Sequence, residues 1–147
     1  MPLTLTLTQD VLPTSALNTA IERLTNSMLK WHGLIDNTVM TPNVTANIHI
    51  VPKGHSYSGG VPFQGAWVEW KVPSFAFASR EIQKGFGQDA VDIISDLSGG
   101  AQPKDHIYFN VVHTVDGTWN LNGQAMSNDE LGAVIGTGAP AVDTATN

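Results

Sequence analysis

Apolar and polar residues alternate strictly near the start of the chain. Leucine and threonine take turns from residue 3 to residue 8, and this period of two predicts a strand with one buried face. Apolar residues then recur every three or four positions, which predicts a helix from a cap at Thr14 or Ser15 to about Trp31. The alternating segment 44–51 predicts the second strand.

The same order of elements occurs again in the second half of the chain. Residues 66–72 alternate like a strand, and Ser79 can cap a helix that runs to about Leu97. Residues 106–112 then predict the last main strand. The pattern is therefore βαβ followed by βαβ, a structural duplication.

Each βαβ unit joins two parallel strands by a right-handed crossover. The units span about 2–60 and 61–126. We therefore expect one domain over 1–126, an α+β fold whose four-stranded sheet carries both helices on one face. Residues 127–147 are expected to form a C-terminal extension that is partly disordered, especially over 136–147, because this stretch is rich in glycine and small polar residues.

Composition limits the classes of partner. The 147 residues include 7 Lys and Arg against 13 Asp and Glu, a formal net charge of −6, which argues against nucleic-acid binding because phosphate contacts need a basic surface. Charged residues make up only 14% of the chain, below the roughly 25% of typical domains, and this favours an oligomer that covers the free sheet face. No long apolar run and no basic leader is visible, so we expect no membrane contact and a cytoplasmic location.

Pro2 directly follows Met1 and directly precedes the first strand. Proline is small enough to allow removal of an initiator methionine, and removal would leave Pro2 with a free secondary amine held in place by the strand. An α-amino group titrates at about 7.7–8.0, and burial lowers that pKa toward neutrality, where an amine is an effective general base. The alternative is that Pro2 merely begins an edge strand, where its missing N–H costs nothing.

Three further segments add to this pattern. Ser58-Gly59-Gly60 follows the second strand, Asp-His-Ile-Tyr-Phe-Asn occupies 105–110, and Trp-Asn-Leu-Asn-Gly occupies 119–123. With Pro2 and the duplicated unit, they resemble the tautomerase superfamily, in particular long-chain members similar to cis-3-chloroacrylic acid dehalogenase, malonate semialdehyde decarboxylase and macrophage migration inhibitory factor. The resemblance covers about residues 2–126. It implies a catalytic amino-terminal proline, no cofactor, and a homotrimer with active sites at subunit boundaries.

The resemblance and the aromatic residues of the chain together supply candidate site residues. Pro2 and Asn110 are the expected catalytic residues, the latter through a hydrogen bond to a substrate carbonyl or to water. The expected substrate-binding residues are Lys71, Phe75, Phe77, Tyr108 and Trp119. Each has a structural alternative: a solvated lysine, a hydrogen-bonded asparagine at a strand end, and aromatic side chains in a core or an interface. The histidines form no close pair along the chain, so no metal site is expected.

Two features of the dehalogenase and decarboxylase branches are missing from this sequence. Those branches follow their third strand with a pair of arginines that bind the substrate carboxylate. Here residues 71–77 contain Lys71 as their one cation, and Arg23 and Arg80 are the only arginines of the chain. A lysine supplies a point charge rather than the bidentate fork that fixes a carboxylate. Met28 also stands where some dehalogenases have a histidine.

These residues favour a cofactor-independent tautomerase or isomerase, in which Pro2 is the general base for a small hydrophobic or aromatic oxo or enol compound. One alternative is a hydratase-like, dehalogenase-like or specialised biosynthetic enzyme with a protonated Pro2 as the acid. The alternative from another class is a non-catalytic trimeric binding module. Retention of Met1 would favour that module, because an acylated proline nitrogen cannot accept a proton.

Overall fold

A computed structural model describes residues 1–142 of the chain, which contain eight strands and three α-helices. In chain order these are β1 (Leu3–Thr8), α1 (Leu17–Trp31), β2 (Ala46–Val51), β3 (Tyr57–Ser58), β4 (Val61–Pro62), β5 (Ala66–Pro73), α2 (Arg80–Leu97), β6 (Ile107–Thr114), β7 (Trp119–Leu121), β8 (Gln124–Met126) and α3 (Asn128–Thr137).

A mixed four-stranded sheet in the order β2-β1-β5-β6 forms the centre of the structure. The pairs β1–β2 and β5–β6 are parallel, while β1 and β5 meet antiparallel in the middle. Since α1 connects β1 to β2 and α2 connects β5 to β6, each parallel pair with its helix is one βαβ unit. The α+β fold predicted from the sequence is confirmed.

One face of the sheet is buried under α1 and α2. The leucines of β1 are at most 1% exposed, and Val68 and Trp70 of β5 are fully buried on the same side. They join Leu24 and Met28 of α1 and Phe86 of α2 in one apolar cluster. Because side chains alternate along a strand, the threonines of β1 and the polar residues of β5 lie on the opposite face, which we call the open face.

The two long helices begin in different ways. Ser79 caps α2 as predicted, since its hydroxyl oxygen accepts a hydrogen bond from the Ile82 amide at 3.2 Å. The predicted cap of α1 at Thr14 or Ser15 is wrong, because these residues form a turn of 3-10 helix and α1 begins at Leu17 without a side-chain cap. Within residues 1–142, no helix is long and apolar enough to cross a membrane.

The chain after β6 is more ordered than its composition predicts. β7 and β8 form a hairpin whose turn residues Asn122 and Gly123 have φ values of 54° and 75°, as a two-residue type I′ turn requires. α3 follows, and a reciprocal capping box between Ser127 and Glu130 fixes its start. The predicted disorder from residue 136 is wrong for the last turn of α3, and residues 143–147 lie outside the described part of the chain.

Candidate functional site

A cavity of about 300 Å³ lies beside the amino terminus on the helix-covered side of the sheet. It is bordered by the ends of β1, α1 and β5, by the start of α2, by β7 and by α3. Its walls are formed by Met1, Trp31, His32, Leu34, Met40, Pro73, Phe75, Ala76, Ile82, Trp119, Leu131, Gly132 and Ile135. None of these residues is Lys, Arg, Asp or Glu, so the cavity is an apolar site closed by several separate segments.

Met1 itself is part of this wall and is only 4% exposed. Its α-amino group donates a hydrogen bond to the carbonyl oxygen of Asn43. Desolvation by burial lowers the pKa of the amine from 8.0 to about 5, because burial disfavours the charged form. The amine at the start of the chain is therefore neutral at pH 7.

His32 is the polar ring in the wall, and both of its nitrogens already have partners. Nδ1 lies 2.9 Å from the carbonyl oxygen of Met28, and Nε2 accepts a hydrogen bond from the Phe77 amide at 3.1 Å. Nδ1 therefore carries the proton of a neutral imidazole. Burial lowers the pKa of His32, although the bond to Met28 acts in the opposite direction. His32 thus fixes the cavity wall and is not free to exchange protons with a ligand.

Trp31 is held in the wall from the neighbouring helix. Its indole N–H donates to a carboxylate oxygen of Asp89 at 2.8 Å, and the hydroxyl of Ser27 donates to the same oxygen at 2.7 Å. Burial alone would raise the pKa of Asp89, but these two hydrogen bonds and the charge of Lys30 outweigh it and lower the pKa. Asp89 is consequently ionised at neutral pH and fixes the orientation of the indole.

α3 closes the cavity on another side and is bonded to the rest of the structure at both ends. At its start, the side-chain amide of Asn128 donates to the hydroxyl of Ser74 at 2.7 Å. At its end, the side-chain amide of Asn37 donates to the carbonyl oxygen of Ile135 at 2.9 Å, and the Thr38 amide donates to that of Gly138 at 2.8 Å. These bonds make α3 a fixed wall.

The structure separates the residues that the sequence analysis groups into one substrate site. Phe75 and Trp119 both line the cavity. Phe77 instead lies in the core at 2% exposure, with its ring against those of His32, Phe86 and Phe109. Its φ of 54° turns the backbone there, and an alternation read through 75–77 could not anticipate that turn.

The other predicted residues lie on the open face. The amide of Lys71 donates to the Pro2 carbonyl oxygen at 3.1 Å, so these two residues are neighbours across β1 and β5. Asn110 lies across from Glu69 in the pairing of β5 with β6 and donates to its carboxylate at 3.2 Å. Tyr108 stacks on Trp67, with ring centroids 6.0 Å apart. Pro2 thus lies between Met1, which lines the cavity, and Lys71 of the open face.

Several cavity residues have no counterpart among the residues predicted from the sequence. They are Trp31, His32, Met40, Leu131, Gly132 and Ile135. The sequence places Trp31 on a core stripe and His32 at a helix end, and neither position indicates a cavity. The α3 residues do carry a local signal, since Ser127 and Glu130 have capping-box spacing and Leu131 and Ile135 are one helical turn apart.

A second groove, of about 350 Å³, lies between α1 and α2 on the far side from the sheet. Its charged residues already have ion-pair partners: Arg23 pairs with Asp96 at 2.8 Å, Lys30 with Asp89 at 3.5 Å and Asp92 with Lys104 at 3.0 Å. No group of three or more His, Asp or Glu side chains in residues 1–142 is arranged to hold a metal ion. The apolar cavity beside Met1 is therefore the stronger candidate site.

Comparisons with known proteins support the fold. No family model and no curated protein matches the chain. Among solved structures, the fused 4-OT wild-type symmetric trimer has a TM-score of 0.73 and 12% identity, over 90% of this chain and 99% of that one. N1, a member of the cis-3-chloroacrylic acid dehalogenase family, has a TM-score of 0.71 and 10% identity, over 95% and 93% of the two chains.

A third similar structure is FG41 malonate semialdehyde decarboxylase inhibited by 3-bromopropiolate. Its TM-score is 0.63 at 5% identity, with 83% of this chain and 89% of that chain covered. All three are tautomerase-superfamily structures. At these identities the likeness shows a shared fold, and it confirms the fold resemblance predicted from the sequence.

Proposed function

We propose that the chain is a cofactor-independent tautomerase in which Pro2, after removal of Met1, is the general base. The observation that carries this proposal is the position of the amino terminus: Met1 is buried in the wall of an apolar cavity, and its amine is desolvated. The similar folds of tautomerase-superfamily enzymes support the same class of activity.

Removal of Met1 would place a secondary amine where the Met1–Pro2 peptide bond now lies. That bond is only about 1.33 Å long, so the Pro2 nitrogen adjoins the space that Met1 occupies. We infer that the surrounding apolar wall also disfavours a charged amine at this place. A neutral amine can take a proton from the carbon or enol oxygen of a bound oxo compound and return it elsewhere, and a positioned base of this kind contributes about 10²–10⁴-fold to the rate.

The open face supports a homotrimer as the working assembly. This face carries Tyr108 at 40% and Val112 at 43% exposure, beside Trp67, and apolar residues at such a surface favour burial against another protein. The fused 4-OT structures with a similar fold are trimers. In a homotrimer, Asn110 and Tyr108 would adjoin a neighbouring copy, so they belong to the proposal as boundary residues.

The test compares processed protein with protein that retains Met1, after the two forms are identified by intact mass. Processed protein is expected to convert the enol of methyl phenylpyruvate, an uncharged ester, to its keto form at least about 100-fold faster, because acylation of Pro2 removes the base. Pro2→Ala is a milder change, since alanine also offers an amine, and Asn110→Ala should cost less than either. Equal rates in the two forms would exclude Pro2 as the base.

One observation favours a non-catalytic binding module as a second candidate. Met1 is well packed, and its amine has a hydrogen-bond partner in Asn43, so the unprocessed chain is also a stable arrangement. Purification of the natural protein with Met1 retained, together with ligand binding and no turnover, would support this candidate instead.

A further inference from the structure

We infer that the cavity selects an uncharged carbonyl compound with an aromatic or branched apolar body, and that Gly132 of α3 determines which ligands can enter. The inference rests on the proposed function in one respect, because it takes the cavity beside the amino terminus as the substrate site.

The charge follows from what the wall can offer to a ligand. No lining residue is a lysine or an arginine, and both ring nitrogens of His32 are bonded to the backbone. Lys71, the cation that the resemblance predicts for a carboxylate, lies on the open face and does not line the cavity. A carboxylate that enters would therefore lose its water without gaining a lysine or arginine partner from the wall, which is costly. A ketone or ester loses much less on entry.

The size of the ligand follows from the volume of the cavity. An apolar cavity of about 150 Å³ is enough to hold benzene. The cavity here has about 300 Å³ before any space left by Met1 is added, so a phenyl ring with a short side chain fits. Trp31, Phe75 and Trp119 provide aromatic surface against such a ring.

The entrance is marked by the lining residues that reach solvent. Among the lining residues, only Phe75 and Gly132 are exposed to solvent. A Cβ atom at residue 132 would meet nothing within 4 Å, and the φ of Gly132 lies outside the left-handed region. Neither backbone geometry nor crowding therefore requires glycine at residue 132. The consequence of glycine there is open space at the mouth of the cavity.

The mouth keeps its shape because both sides are tied together. Ser74, the neighbour of Phe75, accepts the hydrogen bond from Asn128 at the start of α3. The end of α3 is held by Asn37 and Thr38. A larger side chain at residue 132 thus projects into a fixed opening and blocks it.

The experiment uses two ligands of nearly the same shape: the ketone 4-phenyl-2-butanone and the carboxylate 3-phenylpropanoate. Binding to the processed protein is followed by calorimetry at pH 7. The ketone is expected to bind at least tenfold more tightly than the carboxylate. Gly132→Leu is expected to weaken ketone binding at least tenfold, whereas Gly136→Leu should change it less than twofold.

Gly136 is the matched control because it lies one turn further along α3, is exposed and does not line the cavity, and a Cβ atom at residue 136 would likewise meet nothing within 4 Å. Gly132→Ala guards against misfolding of the leucine variant, and it should retain the thermal midpoint and show an intermediate affinity. Equal or tighter binding of the carboxylate, no binding of the ketone, or equal effects of the two leucine substitutions would overturn the inference.

These outcomes are independent of the proposed reaction. If the wild type binds the ketone selectively but Met1 removal has no effect on enol conversion, the inference stands and the proposed function fails. If processed protein catalyses enol conversion but prefers the carboxylate ligand, the proposed function stands and the inference fails.

Discussion

The indole ring of Trp31 lies so close to Gly85 that a Cβ atom at residue 85 would come within 2.2 Å of the ring carbon Cζ2. Asp89, one turn further along α2, holds the same ring in place, because its carboxylate accepts a hydrogen bond from the indole N–H at 2.8 Å. Glycine at residue 85 therefore permits the close approach of α1 to α2, and Asp89 fixes the Trp31 ring in the cavity wall.

Gly85→Ala should destabilise the protein by about 1–3 kcal/mol, because the new methyl group must displace the Trp31 ring from its place against α2. Gly87→Ala is the matched control, since its Cβ would lie 3.4 Å from Phe109, an ordinary contact, and alanine is the better helix former by about 1 kcal/mol. Urea unfolding measures both. Equal stability of the two variants would contradict the close packing of Trp31 on Gly85.

Protein that retains Met1 should lose stability as the pH falls from 8 to 5. The folded-state pKa of the amine is lowered from 8.0 to about 5, so in this range the unfolded chain binds a proton that the folded chain does not. Stability is then fully present above pH 8 and declines toward pH 5, by at most about 4 kcal/mol over three pH units. Urea unfolding at several pH values measures the slope.

The matched control for this slope is the same protein with an acetylated amino terminus, which cannot titrate. Its free energy of unfolding should depend less on pH between 8 and 5, because the contribution of the amine is absent. Identical slopes for the free and the acetylated protein would mean that the Met1 amine is not buried in solution.

His32 should titrate below its ordinary pKa of 6.5, because burial disfavours the imidazolium. A proton on Nε2 would also remove the acceptor for the Phe77 amide. The pH dependence of stability therefore has the same sign for His32 as for the Met1 amine. The contribution of His32 to the free energy of unfolding is present above pH 6.5 and is lost as the pH falls through the lowered pKa. NMR titration of the ring protons gives the midpoint, and a value of 6.5 or higher would contradict the dominant effect of burial on His32.

Among carboxylate substrates, phenylenolpyruvate should be preferred over cis- and trans-3-chloroacrylate and malonate semialdehyde. All four carry a carboxylate that the cavity wall cannot pair, but only the first adds a phenyl group, whose burial contributes about 2–3 kcal/mol. We expect its kcat/KM to be at least about tenfold higher, measured side by side with processed protein. A higher kcat/KM for either chloroacrylate would mean that another cation reaches the substrate.

The protein should have the mass of three subunits in solution. Val112→Lys should shift the assembly toward the monomer, because it places a second positive charge on the open face directly across from Lys71, while Val115→Lys at a 74% exposed position outside the strands should not. Light scattering at micromolar concentration measures the mass. A wild-type mass of one subunit would rule out the proposed assembly.

The sheet and α2 could be predicted from the sequence because their signals are local. The leucines of β1 alternate with threonines, and Ser79 precedes an apolar stripe of the right period. α3 could not, because glycines within it and at its end hide a short apolar stripe and a valid capping box. The prediction for this segment rests on its local composition, whereas the segment folds as α3 because it packs against the cavity.

The candidate site was only partly predictable, because it depends on contacts between distant segments. Pro2, Phe75 and Trp119 could be selected individually, but nothing in the sequence places Trp31 or Gly132 beside them. Phe77 shows the reverse problem: it lies two residues from Phe75 and yet is directed into the core by one left-handed backbone angle. Spacing along the chain indicates which residues share a face only where the backbone is regular.

α3 belongs to neither βαβ unit, and yet it supplies one wall of the cavity. A gene could therefore accumulate changes along these ten residues while the alternation that folds the sheet stays as it is. Under the proposed function, the choice of ligand and the ability to fold are carried by different stretches of the same chain. Substitutions in α3 could then change which small molecule binds while the sheet folds as before.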